Sequence, residues 1–132
     1  MAKYAYPAIF TPEAEGGYSV LFPDLEGCYT CGDDMPDALV MANDVLELVL
    51  YSYEINKKAI PAPSDIKNIE VKDNDIISLV VADTINYVKM YNTKSIKKTL
   101  SIPEWLNTKA EEANAPYSQI LQQGLKTYLG IN

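Results

Sequence analysis

The 132-residue sequence predicts an α+β protein in two parts, on three observations. Short apolar runs broken by turn residues come first and lead into one long amphipathic helix, the pattern of a small sheet covered by a helix. Residues 93–132 do not repeat that pattern and read as strand, helix, helix. The charge changes sign at the same place: residues 1–92 carry 6 Lys against 15 acids, net −9, and residues 93–132 carry 5 Lys against 3 acids, net +2. The chain average of −7 hides this division. Two parts that differ in charge meet different partners, so the expected domains are 1–92 and 93–132, joined near Asn92-Thr93. An apolar share of 48% suits packed domains, because disordered chains lack the apolar residues to offset chain entropy.

Tyr4 to Phe10 is the first apolar run, and Glu15-Gly16-Gly17 supplies turn chemistry after it. Tyr18 to Phe22 resumes as a second strand before Pro23-Asp24, completing a hairpin. A third short strand is expected at Cys28 to Cys31, closed by Gly32-Asp33-Asp34. Asp34 then caps a helix with Pro36 in its first turn and Asp37 near the positive dipole end. Met35, Ala38, Leu39, Ala42, Val45, Leu46, Val49 and Tyr53 follow the i, i+3, i+4 series and form the expected core face of a helix from Asp34 to Asn56. Pro61 and Pro63 in Ile60-Pro61-Ala62-Pro63-Ser64 prevent its continuation. Ile76 to Ala82 reads as a buried strand, giving the order β-β-β-α-β. Tyr87 to Asn92 fits either a short helix or a linker.

In the tail, Ser95 to Ile102 is strand-like and stops at Pro103, which suits the first turn of a helix carrying Leu106, Ala110 and Ala113. Asn114-Ala115-Pro116 ends that helix. A second one carries Tyr117, Ile120, Leu121, Gly124, Leu125 and Tyr128 in a regular stripe. A lone strand leaves its backbone ladder unmatched, and so short a unit cannot bury enough surface alone. A second copy answers both needs: two strands pair about a two-fold axis over four helices, making a homodimer, with larger oligomers left open. In that ribbon Leu100 and Ile102 face the helices, while Lys97, Thr99 and Ser101 face outward, as a ribbon in the DNA major groove requires. The helix start at Tyr117-Ser118 offers free N–H groups to a phosphate.

The segment Lys97-Lys98-Thr99-Leu100-Ser101-Ile102-Pro103-Glu104-Trp105-Leu106 resembles the strand-to-helix segment of ribbon-helix-helix repressors. The resemblance implies that Lys97, Thr99 and Ser101 read bases and that Ser118 marks a phosphate clamp on operator double-stranded DNA; Lys98, in the same lysine cluster, is a further expected DNA-binding residue. The alternative is a dimerisation module whose exposed strand is merely solvated.

Composition narrows the chemistry. With no histidine, the chain lacks the default general base and the commonest zinc ligand. Cys28 and Cys31 form a C-x2-C pair, but without a second pair, and positions three apart on a strand face opposite sides, so two reduced cysteines, at least one in the core, are expected. The ten tyrosines fall mostly at strand or helix-face positions and read as core or interface residues. No apolar run is long enough to span a membrane, and the start Met1-Ala2-Lys3-Tyr4 lacks a secretory apolar region, so a cytoplasmic protein is expected.

Phe22-Pro23-Asp24-Leu25-Glu26-Gly27-Cys28, then Gly32-Asp33, Asp37-Ala38-Leu39 with Ala42, and Ile60-Pro61-Ala62-Pro63-Ser64 resemble the HicB antitoxin family, in the right order. The sequence departs from it at Glu26, where the family commonly has proline, and at Pro36-Asp37, where it often has two acids. Some members of that family end in a ribbon-helix-helix domain. The resemblance implies a partial ribonuclease H-like sheet that binds HicA, a small basic toxin that cleaves mRNA, and covers its active site, with no cofactor. It raises the question of nuclease activity. A two-metal nuclease gathers several carboxylates, usually one on the first strand, and Tyr4 to Phe10 has none, so neither a catalytic nor a metal site is expected. A −9 surface suits a basic partner, which it steers and to which it mimics RNA. Val40, Asp44, Glu47 and Tyr51, with Glu54, form a second helix stripe that is the expected toxin-docking surface, together with the loop acids Asp24 and Glu26; the alternative is an ordinary solvated face. The function expected is an antitoxin that also represses its own operon. The rival is a ribbon-helix-helix repressor whose acidic domain senses a small molecule.

Overall fold

Gly16 and Gly17 adopt positive φ, +99° and +81°, conformations open to glycine and costly for other residues, and they turn the chain between the first two strands. Strand β1 (Lys3–Pro12) and strand β2 (Tyr18–Leu21) pair antiparallel from Pro12 opposite Tyr18 to Ile9 opposite Leu21. This computed structural model describes residues 2–132, which divide into two compact units between Lys94 and Ser95.

In the first unit, β3 (Tyr29–Gly32) pairs with β2, and β4 (Ile76–Asp83) pairs with the other side of β1. The four-stranded antiparallel sheet has the order β3-β2-β1-β4. The third strand begins one residue later than its sequence pattern suggested. Helix α1 (Met35–Ile55) lies across one face. Its start follows from its caps: the Asp34 carboxylate accepts from the Asp37 N–H at 2.8 Å, and the Asp37 carboxylate accepts from the Asp33 N–H at 2.8 Å. This is a reciprocal cap of the box type, displaced by one residue.

Tyr6, Phe10, Val20, Phe22 and Leu25 meet Ala38, Ala42, Leu46 and Leu50 in the core. Alanines at 38 and 42 let the helix approach the sheet closely. At Gly32 the approach is closest: a Cβ there would sit 2.4 Å from the Ala38 nitrogen.

Two expectations need correction. Leu39 is exposed, because it lies one residue, or about 100°, around the helix from buried Ala38, and Leu50 takes a core place instead. The fourth strand is not buried on both faces: Val80 and Ala82 point inward, while Leu79 and Val81 are 55% and 62% exposed. It is an edge strand, and α1 covers one side only. With Leu21 and Tyr29, also exposed, these residues leave the outer sheet face apolar. Asn43 on α1 donates to the Val81 carbonyl at 2.6 Å.

The segment after β4 is a helix, not a linker. The Asp83 side chain accepts from the Ile85 N–H at 3.1 Å and caps α2 (Thr84–Tyr91), which packs on α1. Buried Thr84 joins this junction to the N-terminal strand. Its N–H donates to the Ala2 carbonyl at 3.1 Å, and its hydroxyl accepts from the Ala2 N–H at 3.0 Å and donates to Glu54 at 3.1 Å.

The second unit holds α3 (Glu104–Glu112) and α4 (Tyr117–Leu129), tied by the Tyr117 hydroxyl donating to Asn107 Oδ1 at 2.9 Å. Ser95 to Ile102, expected as a strand, forms none within the single chain, since a strand requires a ladder partner and no described residue supplies one. No side chain of residues 95–132 is buried: Leu100, Ile102, Trp105, Ile120 and Leu125 all face solvent.

Candidate functional site

The surface of the first unit that combines shape, charge and apolar area lies where α2 packs along α1. A groove of about 590 Å³ opens there, lined among others by Met41, Asp44, Leu48, Tyr87, Met90 and Tyr91. Tyr87 builds one side: its ring centroid lies 4.8 Å from that of Tyr51 and 4.5 Å from that of Tyr91, so three aromatics run along the helix pair. Glu47 also lines the groove and is only 8% exposed. Its carboxylate accepts from Asn86 Nδ2 at 3.5 Å, the limit of a hydrogen bond.

The expected docking residues therefore separate. Asp44 and Glu47 share the groove, and Tyr51 supports it through Tyr87. Glu47 is not on an open face as the helix stripe suggested, because α2 covers it. Val40 is 59% exposed and lies outside the groove lining. Asp24 accepts from both the N–H and the hydroxyl of Ser64, 40 residues away, so this acid fastens the proline-containing loop to the sheet domain. Glu26 is exposed in the turn between β2 and β3. Met41, Leu48, Met90 and Tyr91 were not singled out in the sequence. The spacing of Tyr87 and Tyr91 by one helical turn, had the segment been read as a helix, was the available signal.

Buried hydroxyls and one thiol titrate high. Burial, and then the negative charge of Glu54, raise the Tyr4 hydroxyl above its usual range; the same hydroxyl donates to Glu54 Oε2 at 3.2 Å. Burial also raises Tyr6, with help from Asp24, and its hydroxyl donates to the Pro61 carbonyl. Burial pushes the Cys28 thiol up to about 12, whereas Cys31 is exposed on the opposite face of β3. Among the described residues, no three His, Cys, Asp or Glu side chains are gathered as a metal ion would require. No described helix is long and apolar enough to cross a membrane.

In the second unit, Lys97, Lys98, Thr99, Ser101 and Ser118 are all exposed. Ser118 is the second residue of α4, whose Pro116 cap makes no side-chain hydrogen bond, so the first N–H groups of that helix are uncapped by a side chain.

The family model of HicB-like antitoxins of bacterial toxin-antitoxin systems matches residues 6–123. Antitoxin HicB 1 of Photorhabdus laumondii is 39% identical over 61 residues, 46% of this chain and 39% of that protein. Antitoxin HicB of Escherichia coli K12 is 35% identical over 63 residues, 48% of this chain and 46% of that protein. The matches thus span less than half the length of these curated relatives. A chain of a toxin-antitoxin complex from Streptococcus pneumoniae is similar over 96% of this chain and 99% of its own, with 27% identity and a TM-score of 0.63. The Burkholderia pseudomallei antitoxin HicB shares the fold at 16% identity, covering 92% of this chain and 96% of its own, with a TM-score of 0.54. With 118 of its residues inside the family model, this chain belongs to the HicB-like antitoxin family.

Proposed function

We propose that the chain is a toxin-neutralising repressor that works by binding rather than catalysis. Residues 1–92, a partial ribonuclease H-like domain, bind a small basic HicA-type mRNA-cleaving toxin and cover its active site. Residues 93–132 form a ribbon-helix-helix dimer that binds a two-fold operator and represses the operon.

The observation that carries the first half is the likeness, along nearly the whole chain, to a protein from a toxin-antitoxin complex. The net −9 of residues 1–92 supports it, since an acidic surface accelerates encounter with a basic partner while buried contacts set the lifetime of the complex. The second half is supported by the tail's lack of any buried side chain together with its row of exposed apolar residues. Helices with such faces require a partner, and a second copy brings both the missing helices and the missing strand. Lys97, Thr99 and Ser101 then lie on the solvent side of the ribbon, Lys98 adds charge next to them, and the start of α4 at Ser118 offers N–H groups to a phosphate.

The test is co-expression with the small basic protein encoded beside this chain. Growth arrest by that protein is expected to be relieved, and the two are expected to co-purify. Continued arrest with no co-purification overturns the antitoxin reading, and RNA cleavage by this chain alone overturns its non-catalytic part.

A further inference from the structure

We propose that the groove between α1 and α2 is the toxin-docking site, and that it takes an arginine or lysine side chain onto Glu47 with apolar neighbours seated against Met41, Leu48 and Tyr91. This rests on the antitoxin reading above and identifies the surface that carries it.

Glu47 is the first reason. A carboxylate held by one marginal amide contact keeps acceptor sites that a cation entering the groove can fill with charge-assisted hydrogen bonds. Glu47 is over nine-tenths buried, and its hydrogen-bond partner among the described residues is Asn86 at 3.5 Å. A guanidinium or ammonium entering the groove reaches this carboxylate where it lines the groove wall.

The lining is the second reason. Asp44 adds a second negative charge, and no lysine lines the groove. Leu48, Met90 and Tyr91 are 46%, 70% and 67% exposed, an unusual density of large apolar groups around two acids. Such a mixture selects an occupant that is cationic at its tip and apolar around it. Methionines at both walls adapt to an irregular partner surface. The outer sheet face, with Leu21, Tyr29, Leu79 and Val81, is also apolar but presents no comparable acid at its centre, and nothing there selects a basic partner.

The experiment measures binding of the purified neighbouring toxin to the full chain by calorimetry. Glu47→Gln keeps the shape and removes the charge, and is expected to weaken binding by about 10- to 100-fold. Because Glu47 is buried, Asp44→Lys on the exposed rim and Leu48→Glu serve as second variants, each expected to cost at least about tenfold. Leu79→Asp, on the outer sheet face, is expected to change affinity less than about twofold. Reversing the charge of one toxin arginine or lysine is expected to restore binding to Asp44→Lys. If the unaltered chain binds the toxin and the three groove variants bind equally well, the groove is not the docking site while the antitoxin reading stands. If the unaltered chain does not bind the toxin, both fall together.

Discussion

Cys28 lies wholly inside the first unit, whereas Cys31, three residues on, faces solvent from the other side of β3. Nucleophilic reactivity belongs to the thiolate, and burial that pushes the Cys28 thiol up to about 12 leaves almost none at neutral pH. A thiol reagent at pH 8 is therefore expected to modify one cysteine in the folded chain and two in urea, and the Cys31→Ser protein is expected to react only when unfolded. The same shift gives a pH dependence. The folded protein holds this proton more tightly than the unfolded chain, whose thiol titrates near 9.0. This contribution is therefore complete below pH 9 and is lost as pH rises toward 12, at up to about 1.4 kcal/mol per pH unit. Tyr4 and Tyr6, also raised, act in the same direction above pH 10. Urea midpoints between pH 8 and 11 check the sign, and Cys28→Ala should flatten the slope. Strand alternation made the opposite facing of the two cysteines legible in the sequence. Glu47 was legible as a member of a second helix stripe, but its burial was not, because a helical period identifies the stripe that faces the sheet and says nothing of a second helix laid over another stripe.

At the scale of elements, the closest approach is that of β3 to the first turn of α1. Gly32 sits where a Cβ would lie 2.4 Å from the Ala38 nitrogen and 2.5 Å from its Cα, both backbone atoms that cannot rotate aside. Gly32→Ala must therefore push the helix off the sheet, with an expected loss of about 2 kcal/mol, read from urea unfolding. Gly124→Ala, in open space on α4, is the comparison and should stabilise that helix by a few tenths to about 1 kcal/mol. The ends of α1 were legible because local chemistry fixes them: Asp34 and Asp37 cap the start, and the prolines at 61 and 63 bar any extension. The edge position of β4 was less legible, since Ile76–Ala82 has no alternation and a continuous apolar run resembles a strand buried on both faces. Its outward residues are apolar although α1 covers only one side. For α2, Asp83 was an available cap, but eight residues with a weak stripe fit a linker equally well.

For the whole molecule, a single net charge conceals a −9 and a +2 segment, which the proposed function matches to different molecules. The proposed two-chain ribbon rests, beside the resemblance of residues 97–106, on an absence: the tail holds one strand-like segment and no sequence to pair with it. The structure of one chain leaves Ser95–Ile102 without a ladder for the same reason. In the proposed dimer each Lys97 occurs twice, and a lysine near phosphate releases condensed counterions when DNA binds. Lys97→Ala should thus weaken operator binding roughly equally on every sequence and lower the salt slope by about 2 per dimer, measured by fluorescence anisotropy between about 50 and 200 mM salt. Thr99→Ala and Ser101→Ala should behave differently, relaxing discrimination between operator and unrelated DNA with little change in slope, because hydroxyls read base edges and carry no charge. Toxin binding should be unchanged in all three, since Glu47 and its groove belong to the other unit. If a chain with all three positions changed to Ala binds operator with the original affinity and slope, DNA is read by another surface and the tail serves dimerisation alone.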